Sequence, residues 1–136
     1  MIRPINHDPT FLAQPARSAT NADLNIATDL VDTLRAHQQN CLGMAANMIG
    51  QNVAIIAIYL GQLPVVMINP QLLAKKGPYQ TKEGCLSLSG HRNCQRFKEI
   101  ELAFFDQRLH RRQIHLTGLA AETVQHELDH LAGRLI

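Results

Sequence analysis

The chain carries little charge of either sign: 18% of its residues are Asp, Glu, Lys or Arg, and they sum to a formal +2. That balance gives no reason to expect a nucleic-acid or membrane-surface partner. No apolar run approaches the length needed to cross a bilayer. The first residues, Met1 to Asn6, lack the apolar centre of a signal peptide, so a cytoplasmic protein is expected. Cysteine is scarce and odd in number: Cys41, Cys85 and Cys94 have no regular spacing. A disulfide framework is thereby disfavoured, and free or metal-bound thiols fit better. With 46% hydrophobic residues over 136 positions, the expectation is one globular domain, residues 1–136, with a core of its own.

Histidine, by contrast, is abundant, with seven copies. Two of them fall in Gln125-His126-Glu127-Leu128-Asp129-His130. On a helix, residues four apart stand one above the other, so His126 and His130 can converge on one metal ion. Glu127 then sits beside them as a general base for water. Along this helix Ala120, Val124, Leu128, Leu131 and Leu135 form an apolar stripe, with the histidines nearly opposite and Leu119 and Thr123 beside them. Such a helix is buried on two sides, and buried imidazoles need partners. Thr117 is placed to cap it.

The remaining elements are read from periodicity and punctuation. Residues 1–20, with Pro4, Pro9 and Pro15, read as an extended arm. A helix begins near Asn21, capped by Asn21 or Asp23; its stripe is Leu24, Ala27, Val31 and Leu34, and it ends before Cys41. Residues 42–50 mix small and apolar residues, which suits either a pocket wall or a tightly packed strand. Val53–Leu60 and Pro64–Asn69 read as buried strands joined at Gly61-Gln62. Asn69-Pro70 and Gly77-Pro78 punctuate the next stretch of chain. The alternation of Ile100, Leu102 and Phe104 marks a half-buried strand over Glu99–Phe105. A hairpin with a basic tip leads to Ile114-His115-Leu116.

Cys85 is the best candidate for a third ligand, lying between Gly84 and Leu86 in a short non-helical stretch. One sulfur and two imidazoles leave a fourth position open, the arrangement of a catalytic site, and hydrolysis of an amide-like bond is the matching reaction. Cys85 acting as a nucleophile paired with a histidine is the other reading of the same residues.

Three segments together resemble the peptide deformylases, which remove the formyl group from the start of new polypeptides. Glu83-Gly84-Cys85-Leu86-Ser87 and Gln125 to His130 match two family motifs in full. Cys41 to Met48 matches the third, G-x-G-x-A-A-x-Q, with Cys41 at its first glycine and Met48 at its glutamine. The resemblance implies an α+β fold, with mixed, mostly antiparallel strands around a central metal-binding helix. It implies Cys85, His126 and His130 as ligands, Glu127 as acid and base, and the Leu86 N–H as an oxyanion donor. The implied ion is Fe(2+), with Zn(2+) or Ni(2+) as substitutes. Leu42, Gly43, Met44, Leu119 and Thr123 would line a methionine pocket, and Arg92 would hold the substrate backbone. Glu122 falls where that pocket commonly has an apolar residue. Met48 cannot donate to the oxyanion as the glutamine would. A deformylase-like protein that binds metal or peptide without efficient turnover is therefore a second reading, and a general metallopeptidase a third. The implied partners are N-formyl-methionyl peptides or nascent chains. Weak ribosome contact could run through Arg108, His110, Arg111 and Arg112, with no specific nucleic acid and no membrane.

Overall fold

A computed structural model describes residues 1–136. The chain forms three helices, α1 (Pro9–Leu12), α2 (Leu24–Ala36) and α3 (Gly118–Leu131). It also forms five strands: β1 (Gly43–Ala45), β2 (Ile55–Leu60), β3 (Leu63–Cys85), β4 (Leu88–Phe105) and β5 (Arg111–Thr117). The strands make one sheet in sequence order, and every neighbouring pair is antiparallel. This is an α+β fold. The single parallel contact is an isolated bridge between Arg17 and Val53, so β2 starts at Ile55 rather than Val53.

The sheet carries a core on each face, which explains the unbroken apolar run of β2. Ile55 and Ala57 pack with Ala27, Leu30 and Leu34 of α2. Ile56 and Ile58, pointing the other way, pack with Ala121 and Val124 of α3 and with Ile100, Leu102 and Phe104 of β4. Each fully buried Leu, Ile or Val in these clusters contributes about 1.5–3 kcal/mol of transfer free energy. The α3 stripe is confirmed at Val124, with Ala120, Leu128 and Leu131 half-buried against the same cluster. Leu135 lies past the helix end and is exposed.

β3 and β4 are far longer than the punctuation suggested. β3 runs through Asn69-Pro70 and Gly77-Pro78 because register shifts after Ile68 and Leu72 absorb the first interruption, where Asn69 takes φ +50°. Gly77 adopts φ +78°, a conformation open to glycine, and the ladder resumes at Pro78 opposite Phe97. At the β2–β3 hairpin Gly61 has φ +65° in the first central position, as a type II′ turn requires.

The start of α2 also differs from expectation. Thr20 caps a 3₁₀ turn over Asn21–Asp23, and the Asp23 carboxylate reaches back to the Thr20 N–H at 2.9 Å. Thr117 occupies the first position before α3, but its hydroxyl makes no capping bond. The arm does lie over the domain, but it is not extended throughout, since α1 forms within it at Pro9–Leu12. Its Asn6 N–H donates to the Met48 carbonyl at 2.7 Å and its Ala16 N–H to the Leu131 carbonyl at 2.8 Å.

Candidate metal centre and substrate cavity

α3 brings the two histidines together as their spacing requires, Nε2 to Nε2 at 3.1 Å. Cys85 ends β3, just before the turn at Leu86-Ser87, and its sulfur completes a group whose ligand atoms all lie within 4.8 Å of one another. Cys85, His126 and His130 thus converge as a three-ligand set.

The surroundings of this trio are more ordered than its motifs disclose. His126 Nδ1 lies 2.7 Å from Glu83 Oε1, so a proton on Nδ1 leaves Nε2 as a lone-pair donor. Arg96 grips Glu83 with both arms of its guanidinium, Nε to Oε2 at 3.0 Å and Nη2 to Oε1 at 2.8 Å. Its remaining nitrogen, Nη1, donates to Asp129 Oδ2 at 2.8 Å, which ties α3 to the β3–β4 ribbon. Gln125 adds a second tie: its amide accepts from the Phe97 N–H and donates to the Phe97 carbonyl, each at 2.8 Å. Asn47 Nδ2 donates to the His130 carbonyl at 2.8 Å.

Burial and these pairs set the electrostatics. Burial opposes charge on Glu83, but His126 and Arg96 outweigh it and hold the carboxylate well below its ordinary range. Burial likewise opposes charge on His126, and Cys85 and Glu83 outweigh it, raising its pKa. Burial first, then the neighbouring His126 and Arg96, push the His130 pKa down to about 3. Burial pushes Glu127 up to about 7 against the pull of His126. The trio thus sits where negative groups favour a cation. A sulfur and two imidazoles are the donor set of a borderline-soft divalent ion, and the residues present fit one. Glu127 Oε1, buried beside them, has no hydrogen-bond partner in the chain.

The centre opens on a cavity of about 550 Å³. Leu42, Gly43 and Met48 form one side of it, Gly84 to Leu86 another, and Leu119, Glu122 and Thr123 a third. Gly43 is needed there, since a Cβ would come 2.7 Å from Thr123 Cγ2 and 3.2 Å from Glu127 Oε2. The Leu86 N–H donates no hydrogen bond within the chain. Met48 is fully buried on the cavity wall, where its Sδ accepts the Ala45 N–H at 3.5 Å.

Two candidates named from the resemblance stand apart. Met44 alternates with Gly43 on β1 and turns into the core against α2. Arg92 does not line the cavity; its guanidinium donates to the Ser89 carbonyl at 3.3 Å, and its neighbour His91 takes the place on the wall. Arg96 and Asn47 went unnoticed in the sequence, because their partners lie tens of residues away. Glu83 and Gln125 stood inside the two complete motifs, and that was the available signal.

The sequence model of the polypeptide deformylase family matches residues 2–136. The chain belongs to that family. A peptide deformylase of Clostridium beijerinckii is 43% identical over 136 residues, spanning 100% of both chains. One from Chlorobium phaeobacteroides is 36% identical over 146 residues, covering 99% of this chain and 77% of the relative. The crystal structure of peptide deformylase from Thermotoga maritima superposes with a TM-score of 0.88 at 29% identity, covering 99% of this chain and 95% of that one. The family is metal-dependent, in keeping with the converging Cys85, His126 and His130.

Proposed function

We propose that residues 1–136 form one deformylase domain, a metal-dependent hydrolase that cleaves the formyl amide of N-formyl-methionyl peptides and nascent chains. The observation that carries this reading is the partnerless, buried Glu127 carboxylate beside three converging ligands at the floor of an open cavity. Cys85, His126 and His130 would hold the ion, Fe(2+) in the cell, with Zn(2+) or Ni(2+) able to replace it. When bound, it supplies Lewis acidity toward the formyl oxygen and toward water. Glu127 takes a proton from the attacking water and hands it to the departing amine; the C–N bond breaks, leaving formate and a free N-terminus. Its burial, which raises its pKa, disposes the carboxylate to take up that proton. The free Leu86 N–H donates to the oxyanion. Leu42, Gly43, Leu119 and Thr123 receive the first side chain of the substrate.

The test is metal analysis of anaerobically purified protein, with formate release from a formyl-methionyl peptide measured on the same sample. Glu127→Gln should keep the metal and lose about 10²–10⁴-fold in rate. An unchanged rate would remove the mechanism. Met48 favours a slow catalyst as the form this enzyme takes, since a thioether leaves the oxyanion one donor short.

A cytoplasmic setting belongs to the same proposal; no helix is long and apolar enough to cross a membrane. So does weak ribosome contact through the exposed Arg108, His110, Arg111 and Arg112 around the β4–β5 tip. Ribosome co-sedimentation that survives Arg108→Glu with Arg111→Glu would discard that contact.

A further inference from the structure

Glu122 stands one helical turn before His126, so α3 presents both to the same cavity. Around it Leu119 and Thr123 on the helix, together with Leu42 and Gly43, line a slot in the cavity. Gly43 and Thr123 are in close contact, so no side chain passes between them. Its far boundary is different in kind. Glu122 and Leu119 also line an adjoining hollow with Tyr79 and Thr117, so the carboxyl lies on the partition between two spaces. The Tyr79 hydroxyl donates to Glu122 Oε1 at 3.4 Å, which is long for such a bond. The other neighbour is an acid, Glu83, and that contact, followed by burial, raises the Glu122 pKa. A half-buried carboxyl with one long bond and one acidic neighbour retains acceptor capacity for something that enters the slot.

We propose that Glu122 sets the side-chain preference of this slot, which takes a side chain ending in a hydrogen-bond donor, such as glutamine or lysine, at least as readily as methionine. The inference rests on the deformylase reading above and widens its substrate class to formylated peptides with a polar first residue. The physical reason is the end of the slot. A methionine methyl packed against this half-buried carboxyl displaces water from its oxygen and offers no hydrogen bond in return, which costs up to about tenfold in binding. An amide N–H or an ammonium at the same depth satisfies it. A wholly apolar slot would discriminate in the opposite direction.

The experiment is a comparison of kcat/KM for formyl-X-Ala-Ser peptides, with X as methionine, norleucine, glutamine or lysine. It uses the metal-loaded wild type, Glu122→Leu and Glu122→Gln, each with its metal content measured. The wild type should handle methionine, glutamine and lysine within about tenfold of one another. Glu122→Leu should favour methionine and norleucine and lose at least about tenfold on glutamine and lysine. Glu122→Gln should keep glutamine and lose lysine, because its amide no longer carries charge. The same order of preference in wild type and Glu122→Leu would overturn the inference. So would loss of metal from Glu122→Leu, which would make Glu122 a support for Glu83 instead. A wild type inert on all four peptides would instead overturn the deformylase reading.

Discussion

One wall of the cavity is backed by charges that answer one another, and the other is made of small side chains and sulfur. On the β3–β4 and α3 side, Glu83, Arg96, Asp129 and His126 form an unbroken chain of contacts between 2.7 and 3.0 Å. On the β1 side stand Gly43, Cys41 and Met48. There the Cys41 thiol donates to the Gly43 carbonyl at 2.8 Å, and burial and then Glu127 push its pKa up to about 12. It is a small neutral side chain, not a reactive one. The first wall holds its ligands by electrostatics, where removing a member leaves a neighbouring charge short of a partner. The second works by shape, and its members can change with less damage.

The largest effect should come from breaking the first wall. Arg96→Ala leaves the buried Glu83 with His126 alone and Asp129 with only the exposed Arg134, and should cost about 3–5 kcal/mol in denaturant unfolding. A loss near 1 kcal/mol would mean that the ionic wall is no more than a surface feature. Changing the second wall should move rate without moving stability. In Met48→Gln the amide oxygen can take over the Ala45 N–H and leave its NH₂ for the oxyanion, raising kcat about 100- to 1000-fold. If kcat stays flat, the sulfur wall has no missing donor to restore. Glu83→Gln keeps the shape but weakens the hold on His126, and metal affinity in a chelator competition should fall about 10- to 100-fold.

The smallest effect is expected at a second arginine–carboxylate pair. Arg17 holds Asp23 at 2.7 and 2.9 Å near the surface, and that hydrogen bonding first, then the Thr20 N–H, lowers the Asp23 pKa to about 2. The folded value lies below the ordinary one, so the pair stabilises above about pH 4 and fades as pH falls toward 2. Arg17 is exposed, so Asp23→Asn should cost only about 1 kcal/mol at neutral pH. The difference from wild type should shrink as pH falls through about 2 and vanish below it in unfolding measurements. A gap that persists there would assign it to packing rather than charge.

Legibility in the sequence tracked the range of the interactions. The histidine pair, Glu127 and the α3 stripe are local and repeat with the helix, so they stood out. The two halves of the β3–β4 ribbon were read as fragments, because Pro70 and Pro78 look like strand ends until bulges and pairing accommodate them. Met44 and Arg92 lie off the cavity wall for a plain reason: a strand alternates, and Gly43 and His91 hold the inward places. Arg96 joins Glu83 and Asp129 across 13 and 33 residues, distances over which no periodicity speaks.

At Phe97 the sheet has an open side, because β5 begins to cover β4 only at Glu99. Opposite Phe97 stands Pro78, which has no N–H to give, and the Phe97 peptide groups turn away to the Gln125 amide. That amide imitates a neighbouring strand, closing an edge on which another polypeptide could otherwise dock. A helix anchored there cannot slide by a turn without opening the sheet to association. The protection of the sheet from aggregation and the aim of His126 and His130 are therefore one fastening.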